Sequence, residues 1–122
     1  ARGTLLIHQF SRQVAAFMND YDVLLSPTLA LPPVPLGTVN MDGDDIGAYI
    51  DINARYMPFA GLFNMTGQPS MSVPMHWTDD GLPVGMMFTG PFGDEATLFQ
   101  LAGQLERAQP WAHRRPPVHA SN

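Results

Sequence analysis

Apolar residues recur at helical spacing near the start of the chain: Leu6, Phe10, Val14 and Phe17, with Ile7 and Met18 widening the stripe. This period predicts a helix over 4–19, ended by Asn19-Asp20. The period then stops. Asp22-Val23-Leu24-Leu25-Ser26 is a short apolar run closed by Pro27, which predicts a strand buried on both faces. Residues 27–37, PTLALPPVPLG, hold four prolines. Each lacks a backbone donor and restricts the residue before it, so an extended loop lying on the protein body is expected.

Helical spacing returns over about 46–56, where Ile46, Ile50 and either Asn53 or Ala54 share a face. Pro58 suits the first turn of another short helix reaching about Met65, and Gly67 suits its left-handed end. Residues 71–77 and 83–89 read as two strands. Asp79-Asp80-Gly81 between them is turn chemistry, with glycine supplying positive φ. Pro74 marks the first of these strands as an edge or as the site of a bulge. Asp94 suits the N-cap of a last helix, 95–107, striped by Leu98, Leu101, Ala102 and Leu105, with Glu95 at the positive end of its dipole. A Pro-rich strap, RAQPWAHRRPPVHASN, follows. The class is mixed α/β, ending helix–strand–strand–helix.

Composition narrows the functions. A chain of 122 residues is the size of one domain. Its net charge is -5, with no block of like charges, so nucleic acid is not an expected partner. The apolar runs fall far short of the ~20 residues that span a bilayer, and no signal-peptide pattern is seen, so no membrane partner is expected. With no cysteine, disulfides, thiolate nucleophiles and zinc-thiolate sites are excluded, which suits a cytoplasmic protein. All six basic residues are arginine. Twelve prolines and eleven glycines punctuate short elements, and no internal repeat is found.

The candidate chemistry is thin. Asp42-x-Asp44 with Gly47 has the look of a calcium loop, but Ile46 and Asn53 stand where oxygen ligands and a bidentate glutamate are needed. A solvated loop whose Asp45 or Asp44 caps a helix fits better. His8, His76, His113 and His119 include no i, i+4 pair, so no metal is expected. Gly81, Gly85 and Gly90 are too far apart for a phosphate cradle and suit turns and close packing. Asn64-Met65-Thr66 has sequon spacing, in a chain without a secretory signal. Ser70 and Ser72 need a base. Lysine is absent, and His76, four residues along the same strand, would sit ~13 Å from Ser72. The serines are expected to be strand residues bonded to nearby backbone.

Residues 64–106, NMTGQPSMSVPMHWTDDGLPVGMMFTGPFGDEATLFQLAGQLE, closely resemble the carboxyl-terminal part of amidase signature enzymes. That family shows Asn-x-x-Gly-x-Pro, a small residue, Ser-Val-Pro, Gly-Leu-Pro-x-Gly, a hydrophobic strand ending in Gly, and a helix led by Asp/Glu. YDVLLSPT, residues 21–28, matches the preceding strand and loop, and AQPWAHRRPP resembles the carboxyl end. The resemblance implies amide hydrolysis by a serine, a cis-peptide serine and a lysine. These lie around a Gly/Ser-rich signature that this chain lacks. Residues 1–122 are therefore expected to be a carboxyl-terminal fragment of one amidase domain, inactive alone, with no catalytic residue, metal or cofactor of its own.

The implied role is to complete a mixed sheet packed between helices and to border the acyl pocket. Thr28, Leu29, Phe59, Phe63 and Asn64 are the candidate substrate-binding residues, for an amide with a hydrophobic acyl or aryl part. The expected partners are that small amide, the amino-terminal part of the same enzyme, and a second copy in a homo-oligomer. The family includes the glutaminase subunit of the tRNA-dependent amidotransferase, where an acidic residue holds glutamine. Met57 stands at the matching place, which weakens that alternative. GDEATLFQLAGQLE and the QPW ending look more like the 6-aminohexanoate cyclic dimer hydrolases and related bacterial amidases. A non-enzymatic binding module is the competing class.

Overall fold

The computed structural model describes residues 2–120. Its elements are α1 (Arg2–Met18), β1 (Leu24–Pro27), α2 (Ile46–Tyr56), α3 (Ala60–Thr66), β2 (Ser70–Trp77), β3 (Pro83–Thr89) and α4 (Glu95–Ala108). The three strands form one sheet in the order β1-β3-β2. Both pairings are antiparallel, so within this chain the sheet is not mixed.

β2 and β3 form a hairpin through the predicted turn. Gly81 takes φ 81°, and its N–H donates to Thr78 O at 2.8 Å. Pro74 sits where sequence logic put it. β2 is an edge strand, and its register slips between Pro74 and His76. A proline nitrogen offers no hydrogen to a ladder, so it is tolerated only at such an edge or bulge.

α4 packs on β2 and closes a core of Val73, Phe88 and Leu98, with Met71, Leu101, Leu105 and Trp111 against it. Asp94 starts this helix by accepting from Thr97 N at 3.2 Å and from the Thr97 hydroxyl at 2.6 Å. Asp45 does the same for α2, accepting from Ala48 N at 2.9 Å. That is the capping role expected of it. α3 begins at Ala60, two residues after Pro58, so the proline lies in the turn before the helix rather than in its first turn. Gly67 ends α3 in the left-handed region, φ 85°, donating to Phe63 O at 2.8 Å.

β1 corrects the sequence reading. It spans Leu24–Pro27 at the other edge of the sheet, and Leu25 is 54% exposed rather than buried on both faces. Helix α4 packs on β2, and the Leu25 side of β1 stays exposed. The proline-rich loop also departs from expectation at its far end. Its start is tied down by Thr28 N–Gly85 O (3.1 Å) and Ala30 N–Tyr56 O (3.0 Å), but Leu36 is fully exposed. No helix among the described residues is long and apolar enough to cross a membrane.

Candidate functional site

Both serines are bonded to other hydroxyls. Ser70 Oγ lies 2.8 Å from Thr89 Oγ1, and Ser72 Oγ lies 2.6 Å from Thr28 Oγ1. Their partners are side-chain hydroxyls, not the backbone groups expected. The ladder supplies the reason. Ser70 stands opposite Thr89, and Ser72 opposite Met87, one strand removed from the residue that follows β1. A partner hydroxyl is not itself a base, so neither pair alone takes up a serine proton.

Gly85 makes the second pair fit. A Cβ at this position would meet Ser72 Oγ at 2.6 Å and Thr28 Oγ1 at 2.8 Å. Thr28 N also donates to Gly85 O. Thr28, Ser72 and Gly85 are thus one knot that fastens the start of the proline-rich loop to the centre of the sheet. The sequence reading of Gly85 as a close-packing glycine holds, while its partners Thr28 and Ser72, distant in the chain, were not read.

The five candidate substrate-binding residues fall around this frame without sharing one cavity. Leu29 borders a hollow of about 180 Å³ between the loop and Pro83–Gly85. Asn64 is exposed and opens onto different spaces, about 490 Å³ beside α1 and about 510 Å³ beside α2. Phe59 is half-buried at the start of α3. Phe63 is turned inward, 6% exposed. The turn into Gly67 does not depend on the Asn64 side chain. It rests on the Gly67 N–H and on the buried Thr66 hydroxyl, which lies 3.0 Å from Leu62 O and against the Gln68 side chain. Burial of Thr66 inside a helix also suits packing rather than a glycosylation signal.

Among the described residues, no three His, Asp or Glu side chains come together as a metal site. His76 is exposed on β2. Among the described residues the arrangement offers a fastened loop and shallow apolar hollows.

Comparison with known proteins places this frame. The family model described as Amidase matches residues 3–99. The chain belongs to the amidase family. AmiC of Mycobacterium leprae (strain TN), a protein named as an amidase, is 40% identical over 111 residues, 91% of this chain and 23% of its own length. The 6-aminohexanoate-cyclic-dimer hydrolase of Paenarthrobacter ureafaciens is 35% identical over 103 residues, 80% of this chain and 21% of its own length. A solved structure of 6-aminohexanoate cyclic dimer hydrolase, complexed with substrate, superposes with a TM-score of 0.82 at 31% identity, over 91% of this chain and 24% of that one. This amidase chain therefore spans about a quarter of the length of the relatives it matches.

Proposed function

We propose that residues 1–122 are the carboxyl-terminal part of a single amidase domain, in an enzyme that hydrolyses linear or cyclic amides. In this reading the chain completes the sheet and one wall of the acyl pocket. The serine, cis-serine and lysine of the family lie on the part of the enzyme outside it. Thr28, Leu29, Phe59, Phe63 and Asn64 border the substrate, with Thr28 holding the loop that presents Leu29. Phe63 acts from inside the wall, and Asn64 at its rim.

The likeness to a hydrolase solved with its substrate, over most of this chain, carries the proposal. Two features of the chain support it. Ser70 and Ser72 are spent on hydroxyl partners. Helices α1 and α2 also carry exposed apolar residues, Leu6, Phe10 and Ile50 among them, that the rest of such an enzyme would cover.

The test has two parts. The purified chain is incubated with aliphatic and aryl amides, and no turnover is expected. Turnover that survives repurification and vanishes in Ser70→Ala or Ser72→Ala would overturn the inactive-fragment reading. The chain is then exchanged for the matching segment of the 6-aminohexanoate-cyclic-dimer hydrolase. The chimera is expected to hydrolyse amides. A folded chimera that binds no amide would remove the pocket assignment.

A further inference from the structure

The strap after α4 crosses the turn end of the β2–β3 hairpin and is fastened there three ways. Gln109 Nε2 donates to Met75 O at 3.1 Å. Trp111 packs on the Val73, Phe88 and Leu98 core. The Arg114 guanidinium stands over the Trp77 ring, 4.1 Å from its centroid. Strap and hairpin enclose a half-open hollow of about 770 Å³, within the range of small-molecule sites. Trp77, Leu82 and Pro83 form one side, Trp111 and Arg114 the other. Both tryptophans of the chain therefore line one space.

Arg114 is the chemically informative residue. Its contact with the Trp77 ring is a cation–π one, and among the described residues its side-chain N–H groups, which lie in one plane, have no acceptor. Among the described residues Arg114 makes no ion pair with a carboxylate. A planar fork held over an aromatic ring is the donor set that matches a carboxylate with two parallel hydrogen bonds. The charge around it agrees. The chain carries -5 overall, yet residues 109–120 contain no Asp or Glu. With one carboxylate, Asp80, against the guanidiniums of Arg114 and Arg115, the lining suits a singly charged anion better than a multiply charged one such as a phosphate ester. His113 and Arg115 line it as well, and the rest of the wall is aromatic, leucine and proline surface, suited to a flat apolar body.

We propose that this hollow binds a small aryl carboxylate, with the carboxylate on the Arg114 fork and the ring against Trp111 and Leu82. The proposal uses only residues of this chain and is separate from the acyl-pocket residues assigned above.

The experiment follows tryptophan fluorescence of the 122-residue chain during titration with 3-phenylpropionate. A saturable change is expected. The uncharged 3-phenylpropionamide and acetate should each bind about tenfold more weakly or worse, since one lacks the charge and the other the ring. Arg114→Gln should weaken 3-phenylpropionate binding by a similar factor, and Arg114→Lys by less, with far-UV dichroism checking the fold. Should Arg114→Gln unfold, the acid-to-amide ratio in Arg114→Lys decides. A ratio reduced from that of the unaltered chain supports the fork, and an unchanged ratio overturns it. Equal binding of acid and amide, no saturable change, or indifference to both Arg114 variants would overturn the proposal. Tighter binding of a short peptide ending in a phenylalanine carboxylate would overturn the small-molecule assignment.

Discussion

Strands β2 and β3 with helix α4 bury Val73, Phe88 and Leu98 against one another, and nearly every element there touches another within the chain. Helices α1 and α2 differ. α1 rests on α3 and buries only Met18, while Leu5, Leu6 and Phe10 stay exposed. α2 buries nothing and leaves Ile46 and Ile50 open. Both regions carry clear helical periodicity. The difference teaches that an amphipathic stripe announces a need for a partner without saying that the partner lies in the same chain. In the first region the partner is the sheet. In the second, an apolar face of this size marks a contact with something else.

The contrast can be broken most directly at Leu98, which is 4% exposed. Leu98→Ala should cost about 2–5 kcal/mol, the range for truncating a buried leucine. Leu6→Ala, at a residue 57% exposed, should stay within about 0.5 kcal/mol. Denaturant unfolding of the two variants measures both, and equal losses would erase the distinction.

The next effect lies at the knot that joins the regions. Gly85→Ala puts a Cβ into the Thr28–Ser72 hydroxyl pair and should cost about 1–3 kcal/mol, the usual cost of overpacking. Adding Ser72→Ala removes the nearer clash and should return part of that loss. Strict additivity of the two changes in thermal unfolding would show that the residues do not communicate.

The smallest effect on stability should come with a large effect on association. Leu6→Glu with Phe10→Glu should leave the unfolding free energy within about 0.5 kcal/mol while shifting sedimentation toward monomer. Unchanged self-association would place the sticky surface elsewhere, with Leu25 on the open strand the next candidate.

Local chemistry was the legible part of the sequence. Asp45 and Asp94 announced their helices because a carboxylate at an N-cap acts on amides two or three residues away. Gly67 and Gly81 announced positive φ for an equally local reason. β1 was misread because an apolar run does not record what covers it. Leu25 reads as a core residue, yet it stays exposed among the described residues. The serines were misread because their partners, Thr28 and Thr89, are distant in sequence. For the candidate site, the proline-rich loop and the α3 segment were visible as segments. Their separation into different hollows, with Leu29 on one and Asn64 on others, was not. The contact of Arg114 with the Trp77 ring left no trace in spacing either, since a strap without periodicity offers none to read.

The strand order also has a consequence for the timing of folding. Ser70 and Leu24 flank the same residue, Thr89, from opposite sides of the sheet. The hairpin partner is close in the chain, while the β1 partner is more than half the chain away, so closing β1 onto β3 carries the larger loop entropy. On a ribosome moving at ~5–20 residues per second, β1 is made several seconds before β3 exists. Through that interval its apolar residues have no strand of this sheet to pair with.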